Sequence, residues 1–184
     1  SNESGGGIYC TSSANLNNLI VENNIAVNKG GGIYSGGGSV IKNVTVNNNS
    51  TTGGGFDHKG GGGIYCASDS IINVTITNNQ SVKDGGGVYS NSATIINTFI
   101  DGNFSSYSSG YGGGVYGSVN IINSTISNNS SVFAGGGLGV YGGSFTVNNT
   151  TIFGNSFKYG GGVYLNGSAT FMNVIIRENY SSGS

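Results

Sequence analysis

The chain has 184 residues, of which only 7% are charged, and its formal net charge is −1. Ordinary globular proteins carry roughly 25% charged residues, so this chain lacks the electrostatic footprint of a protein that binds nucleic acid or an anionic membrane. Glycine accounts for 37 residues and proline for none, and no apolar run approaches the ~18 residues of a membrane span. The length fits a single domain, residues 1–184.

One phrase recurs along the chain: a glycine run, an aliphatic residue and a tyrosine. Successive phrases are 23 to 31 residues apart and end at Tyr9, Tyr34, Tyr65, Tyr89, Tyr116, Tyr141 and Tyr164. A period of this size is typical of a solenoid, in which each unit buries its apolar face only by stacking on its neighbours. Loop insertions near 50–60 and 104–111 interrupt the period.

Each unit also carries aliphatic residues at fixed positions, which predict its strands. One set lies two residues before the first asparagine of the unit: Leu16, Ile41, Ile71, Ile95, Ile121, Val147 and Phe171. A second set lies three residues after that asparagine: Val21, Val46, Ile76, Ile100, Ile126, Ile152 and Ile176. A third set precedes the repeat tyrosines: Ile8, Ile33, Ile64, Val88, Val115, Val140 and Val163. Alternation and β-branching favour short strands.

Units of about 25 residues are too short to contain a crossover helix as well as these strands, so the strands stack in parallel. Parallel crossovers are almost always right-handed. The sequence therefore predicts an all-β fold, a right-handed parallel β-helix of about seven coils with three short strands per coil.

Two asparagines per unit also recur at fixed positions. The first set is Asn18, Asn43, Asn73, Asn97, Asn123, Asn149 and Asn173, and the second set is Asn24, Asn49, Asn79, Asn103, Asn129, Asn155 and Asn179. An asparagine side chain can bond both to local backbone and to the equivalent asparagine one coil away, and the residue tolerates the left-handed conformation of a tight bend. We expect both sets to form structural ladders.

These motifs resemble a known repeat family. Gly85–Tyr89 and Gly160–Tyr164 pair with Val46–Asn49, Ile76–Asn79 and Ile126–Asn129 in a pattern similar to the GGA(I/L/V) and FxxN repeats of chlamydial polymorphic outer membrane proteins. The pattern is also similar to right-handed parallel β-helix repeats of bacterial and archaeal surface proteins. Ile or Val replaces the family's Phe, and Gly replaces its Ala. The resemblance implies an extracellular or cell-surface solenoid.

Fourteen asparagines lie in the acceptor pattern Asn-x-Ser/Thr for N-linked glycans. An acceptor implies a surface position in a secreted protein. The favoured candidates lie outside the two ladders, at Asn2, Asn48, Asn128, Asn148 and Asn166. Less favoured are acceptors that belong to a ladder, because a ladder asparagine that faces the core cannot be glycosylated: Asn49, Asn79, Asn103, Asn129 and Asn179.

The repeat tyrosines follow inward-facing aliphatic residues, so we expect their rings to point outward in a stripe with ~4.8 Å spacing. Stacked rings would stabilise the rod. An aromatic ring with a polar tip also suits a contact surface for carbohydrate or a host or cell-surface ligand, as in an adhesin.

Catalysis is a less favoured alternative. A polysaccharide lyase or hydrolase needs paired carboxyl groups, but Glu22 and Asp101 share a column three coils apart, ~14 Å by stacking. Asp57, His58 and Lys59 form one polar loop, interpreted as a solvated insertion. We therefore expect no catalytic residue, metal or cofactor.

Ice binding would need a regular threonine face, and the column of Thr45, Thr75, Thr125 and Thr151 is interrupted by Ile20, Phe99 and Ile175.

Cys10 and Cys66 occupy one column two coils apart. Their predicted Cα–Cα separation of ~9.6 Å exceeds the ~7 Å that a disulfide bridges, which leaves two small buried thiols or a bond to another chain.

The tail of the chain is in phase with its head, and no cap is visible at either end. Uncapped strand edges are templates for pairing, so we expect either part of a longer solenoid or rods that self-associate end to end into a structural fibre.

Overall fold

The computed structural model describes residues 3–53 and 60–181, and all regular secondary structure in these ranges is β-strand. In chain order the strands are β1 Ile8–Cys10, β2 Asn15–Asn17, β3 Ile20–Glu22, β4 Ile25–Ala26, β5 Ile33–Ser35, β6 Val40–Lys42, β7 Thr45–Asn47, β8 Ser50–Thr51, β9 Ile64–Cys66, β10 Ser70–Ile72, β11 Thr75–Thr77, β12 Gln80–Ser81, β13 Val88–Ile96, β14 Phe99–Asp101, β15 Phe104–Ser105, β16 Val115–Ile122, β17 Thr125–Ser127, β18 Ser130–Ser131, β19 Leu138–Asn148, β20 Thr151–Phe153, β21 Val163–Met172 and β22 Ile175–Arg177.

The strands form three parallel sheets that wrap around one thin core. Sheet A contains β1, β2, β5, β6, β9 and β10 and the long strands β13, β16, β19 and β21. Sheet B contains seven three-residue strands from β3 to β22, and sheet C contains the two-residue strands β4, β8, β12, β15 and β18. Every pairing joins the same part of two successive coils. This confirms the predicted parallel β-solenoid of about seven coils and three strands per coil.

Each coil begins at a glycine triplet, and we number the coils one to seven from the first glycines Gly5, Gly30, Gly61, Gly85, Gly112, Gly135 and Gly160. Asn2, Asp57, His58 and Lys59 lie outside the described residues. In the insertion near 104–111, Phe104 and Ser105 still pair in sheet C, and the chain then turns with a hydrogen bond from the Gly110 N–H to the Tyr107 carbonyl (2.8 Å).

The core consists mainly of stacked aliphatic side chains, in two columns from sheet A and one from sheet B. In sheet A, Ile71 pairs with Ile41 on one side and with Ile95 on the other. In sheet B, Ile76 lies between Val46 and Ile100. The inner members of both columns are fully buried. Burial of an aliphatic side chain stabilises by about 1.5–3 kcal/mol, so each coil depends on the coils on both sides of it.

The glycine triplet closes the corner between sheets C and A, and each of its glycines meets a different demand. In coil four, Gly85 has φ of +63°, which a residue with a Cβ adopts at a cost. A Cβ on Gly86 would lie 2.5 Å from the carbonyl oxygen of Gly113, and one on Gly87 would lie 2.7 Å from that of Gly114. The same geometry recurs in coils one to six.

One predicted position in the third aliphatic column is wrong in coil six. The third aliphatic column continues from Val115 to Leu138 and then to Val163, so Leu138 takes the place predicted for Val140. The reason is the triplet Gly135–Gly137, which fixes the register so that the residue directly after it faces the core. Val140 is an additional buried residue of the longer strand β19 and pairs with Leu165.

Candidate functional site

The tyrosine-bearing outer face of sheet A is the most distinctive surface of the molecule. Tyr9, Tyr34, Tyr65, Tyr89 and Tyr116 follow one another in register through coils one to five. Their ring centroids are 4.7 Å, 5.3 Å, 5.0 Å and 5.1 Å apart, and the first three pairs are stacked within 16° of parallel. Parallel strand stacking thus produces a continuous column of rings, which we call the tyrosine column.

Tyr141 does not belong to this column, contrary to the sequence prediction. Gly139 occupies the column position in coil six, between Tyr116 and Tyr164, whereas Tyr141 pairs with Asn166. The glycine leaves a gap on the outer face that Tyr111 fills. The Tyr111 ring centroid lies 5.9 Å from that of Tyr116 and 5.3 Å from that of Tyr164. The sequence does not predict that Tyr111 takes the place of a coil-six tyrosine, because Tyr111 comes before the glycine triplet of coil five.

The column is less exposed than the outward orientation predicts. Tyr65 and Tyr89 are only 7% and 9% exposed, and the Nζ of Lys29 lies 5.3 Å from the Tyr65 ring centroid. Burial, with Tyr34 and Cys66 adding, raises the pKa of Tyr65. Burial is also the main reason that the pKa of Tyr116 rises to about 12, ahead of the nearby Asp84. In coils three and four the rings therefore belong to the packed structure.

A further exposed aromatic surface is formed by residues of coils four to seven. Tyr111 contacts Phe133 edge-on at 5.2 Å and Tyr141 at 5.8 Å, and Phe133 contacts Tyr159 at 5.7 Å. Tyr141 is 59% exposed and Tyr159 is 47% exposed. We call Tyr111, Phe133, Tyr141, Tyr159 and Tyr164 the aromatic cluster. Aromatic rings with polar tips are suited to contacts with a ligand that has both apolar and polar groups.

Asp84 anchors the central ring of this cluster. Its Oδ1 accepts a hydrogen bond from the backbone N–H of Tyr111 at 2.8 Å. Burial raises the pKa of Asp84 to about 6, opposed by this hydrogen bond and by Lys83. Desolvation of the charged form therefore outweighs the two favourable contacts, and the carboxyl group titrates close to the physiological range.

The second asparagine set forms a buried ladder, which we call the inner asparagine column. Asn79 donates from its backbone N–H and from Nδ2 to Oδ1 of Asn103, both at 2.9 Å, and Asn103 donates in the same way to Asn129. The other Nδ2 hydrogen of Asn103 bonds to the Ile76 carbonyl at 2.9 Å. The pattern runs from Asn24 to Asn179. Each amide is thus saturated, as a buried polar group must be.

The first asparagine set lies at the bend between sheets A and B, and we call it the outer asparagine column. All seven residues have positive φ, between 49° and 56°. Most are exposed, and their side-chain bonds are partial: Asn73 donates to Asn43 at 2.7 Å, and Asn43 donates to Asn17 at 3.1 Å. The outer column therefore serves mainly through its backbone conformation.

The glycan candidates divide accordingly. Asn48, Asn128 and Asn166 are exposed and Asn148 is partly buried, whereas Asn49, Asn79, Asn103 and Asn129 lie in the inner column at 1% exposure or less. Sequence reasoning missed a third group. Asn73, Asn123 and Asn149 of the outer column are exposed and each begins an Asn-x-Ser/Thr pattern. The sequence signal was present, but the assignment to a ladder concealed it.

The remaining candidates are not brought together into a reactive site. Cys10 and Cys66 are both free and are separated by Ser35 in the same column. Burial, with Asp69 adding, raises the pKa of the Cys66 thiol to about 12. Glu22 and Asp101 share a sheet B column three coils apart. Among the described residues, no group of three or more His, Cys, Asp and Glu side chains could hold a metal ion.

Two segments of the chain match the repeat of Chlamydia polymorphic membrane proteins: residues 18–36 and residues 73–91. Each segment starts at an outer asparagine, passes through the inner asparagine and the glycine triplet, and includes the following tyrosine. The matches cover about a fifth of the chain and confirm the resemblance predicted from the motifs. No curated protein and no solved structure matches the chain. Within residues 3–53 and 60–181, no helix has the length and apolar character needed to cross a membrane.

Proposed function

We propose that the chain is an extracellular structural solenoid that gives a cell surface a stiff, extended element. The observation that carries this proposal is the inner asparagine column, which bonds every coil to the next from Asn24 to Asn179. A rod with saturated hydrogen bonds between coils and a continuous aliphatic core supplies length, stiffness and resistance to proteolysis.

The surface location is supported by the matched repeats, which take their description from membrane proteins of Chlamydia. The chain carries little charge, but its many exposed amide and hydroxyl groups can bind water. They therefore suit a rod that stays hydrated without a strong electrostatic potential at its surface. We extend this to N-linked glycans on the exposed acceptors, namely Asn48, Asn128 and Asn166 together with Asn73, Asn123 and Asn149 of the outer column. Glycans at five of these sites would project from the bends, whereas Asn166 lies within strand β21.

The proposal includes end-on stacking of a further coil. Ile176 in coil seven is 51% exposed, whereas the equivalent Ile152 in coil six is fully buried. A following coil of the same kind would cover Ile176 and extend the inner column beyond Asn179. Coil one is such a coil, and in that arrangement Arg177 of one copy would lie beside Glu22 of the next, because both residues belong to one sheet B column. Opposite charges favour this register.

The first experiment is electron microscopy of the native protein together with sedimentation velocity over a hundredfold range of concentration. End-on stacking predicts filaments as wide as one rod, with a mass that grows with concentration. Isolated rods at all concentrations would contradict stacking of copies and would leave a longer solenoid as the proposed context.

Charge variants make this test specific. Arg177→Glu places like charges at the junction and should shorten the filaments, and the double variant Arg177→Glu, Glu22→Arg should restore them. Lys42→Glu is the matched control, since it makes the same change of net charge on the exposed side of coil two. Equal effects of Arg177→Glu and Lys42→Glu would show that net charge, and not the junction, controls assembly.

A further inference from the structure

A groove crosses the outer face of sheet A in coils four to six, away from the ends of the rod. It is formed by β13, β16 and β19 and has a volume of about 250 Å³. Its polar lining comes from two rows of side chains: Ser92, Ser118 and Ser144, and Thr94, Asn120 and Thr146. The second row is in strand register, so equivalent polar groups recur in three successive coils, four to six.

The groove lies where the three pairings among β13, β16, β19 and β21 are irregular at the same place. The register between β13 and β16 shifts between Ser90 and Ala93, and the register between β16 and β19 shifts between Tyr116 and Asn120. β19 and β21 shift between Tyr141 and Ser144. Such irregularities bend a sheet and re-aim its side chains, here turning a flat face into a concave one whose long direction is the rod axis.

The lining is neutral and rich in hydrogen-bonding groups. None of the nine residues that line the groove is charged. Serine and threonine hydroxyls both donate and accept, and the Asn120 amide has two donor hydrogens besides its acceptor. The Asn120 Oδ1 accepts a bond from the Thr146 hydroxyl, and the Ser118 hydroxyl accepts one from the Ser144 N–H at 3.3 Å. These bonds fix the polar groups before a ligand arrives.

One of the strands that form the groove also carries an exposed aromatic ring, that of Tyr141. Tyr141 lies on β19 three residues before Ser144, and Gly142 and Gly143 separate the two. A Cβ built on Gly142 would meet nothing within 4 Å, so the backbone next to the ring is open. The Tyr141 ring is supported from behind by Tyr111, with 5.8 Å between centroids.

We propose that this groove binds a neutral oligosaccharide that runs along the rod axis. Sugar hydroxyls bond to the Thr94, Asn120 and Thr146 row, and the apolar face of one sugar ring packs on Tyr141. A neutral, polyhydroxylated ligand matches a lining that offers many hydroxyl and amide partners but no charge to pair with an anion, and the aromatic ring matches the C–H face that sugars present. This binding role is independent of the structural role proposed above.

The test is isothermal titration calorimetry of the whole chain with cellohexaose, maltohexaose, mannohexaose and chitohexaose, and with hexagalacturonate as an anionic probe. We expect at least one neutral hexasaccharide to bind. Asn120→Ala should then weaken its affinity at least tenfold, and Tyr141→Ser about fivefold, through the lost hydrogen bonds and ring contact. Thr75→Ala, an exposed threonine of sheet B, is the matched control and should bind as the wild type does.

Several outcomes would overturn the proposal. These are the absence of heat with all four neutral probes at ~10 mM, tighter binding of hexagalacturonate, or unchanged affinity in both groove variants. Sedimentation velocity tests whether the groove is occupied by a second copy of the chain. A dimer that Asn120→Ala abolishes would mean that the groove is an interface between copies. Circular dichroism melting of each variant verifies the fold. Ser144→Arg changes an exposed residue and fills the groove, so it must abolish binding; it tests the proposal even if Asn120→Ala unfolds.

Discussion

Coil four carries one asparagine from each column, Asn97 and Asn103, six residues apart in the sequence. Asn97 is exposed and adopts φ of 50°. Asn103 is fully buried, receives two hydrogen bonds from Asn79 and gives two to Asn129. The outer residue is needed for its backbone and the inner residue for its side chain, so the two columns should respond differently to the same substitution.

The largest effect is expected when the inner column is cut. Asn103→Ala leaves the N–H and Nδ2 of Asn79 without an acceptor and the Ile76 carbonyl without a donor, all in the buried interior. We expect the free energy of unfolding to fall by about 4 kcal/mol, measured by urea denaturation followed by circular dichroism. A loss no greater than that of Asn97→Ala would remove the distinction between the columns.

The next effect concerns the space beside the inner column. A Cβ on Gly87 would lie 2.7 Å from the Gly114 carbonyl oxygen and 3.1 Å from the Asn103 amide. Gly87→Ala should therefore destabilise by about 3 kcal/mol, since neither neighbour can move without breaking the ladder. Gly142→Ala is the control for a glycine with open space around it, although its φ of +71° keeps a smaller strain. Thermal melting of both variants gives the comparison.

Asp84 is a buried carboxyl group whose hydrogen bond and nearby lysine do not fully offset the cost of burying its charge. We therefore expect its effect on stability to be smaller than that of the inner column and larger than that of the outer column. Its pKa is about 6 in the folded chain against 3.8 for an ordinary Asp. The carboxyl group therefore contributes its full stability below pH 3.8, and this contribution is lost as the pH rises through 6. We expect the wild type to lose about 2 kcal/mol of unfolding free energy from this group between pH 4 and pH 7.5.

Asp84→Asn keeps an oxygen for the Tyr111 N–H and removes the titration. The variant should be more stable than the wild type at pH 7.5, and the difference should shrink toward pH 4. Urea denaturation at the two pH values measures both quantities. An equal difference at pH 4 and pH 7.5 would mean that Asp84 is not the titrating group.

The smallest effect belongs to the outer column. Asn97→Ala places an ordinary side chain in the left-handed region and should destabilise by about 1 kcal/mol. Asn97→Gly should stay within about 0.5 kcal/mol of the wild type, because glycine adopts this conformation freely. The pair is measured by urea denaturation, and a large loss in Asn97→Gly would show that the side chain matters there after all.

Spacing alone predicted the coil and two aliphatic columns in every repeat, because each inward position is a fixed number of residues from an asparagine. It failed in coil six, where the tyrosine was used to set the register. The triplet Gly135–Gly137 was the better marker, since steric contact leaves it no freedom to shift, and Leu138 follows it directly.

Other features depend on contacts between coils, which no single repeat contains. Both columns consist of asparagine, so the residue type alone does not predict that Asn103 is buried and Asn97 is exposed. Tyr111 enters the tyrosine column only because Gly139, in the next coil, leaves room for it. The groove likewise requires irregularities in three neighbouring strands, each of which looks like an ordinary variation in loop length when the sequence is read alone.

The inner asparagine column also bears on how such a chain can change length during evolution. Every internal coil donates and accepts the same bonds as its neighbours, so duplication or deletion of one complete repeat rejoins the ladder without a mismatch. Insertion of a few residues inside a repeat would instead displace an asparagine from its partner, unless the added residues bulge at a corner, as residues 106–110 do. Rod length is therefore free to vary in whole-repeat steps, while the cross-section stays under strict constraint.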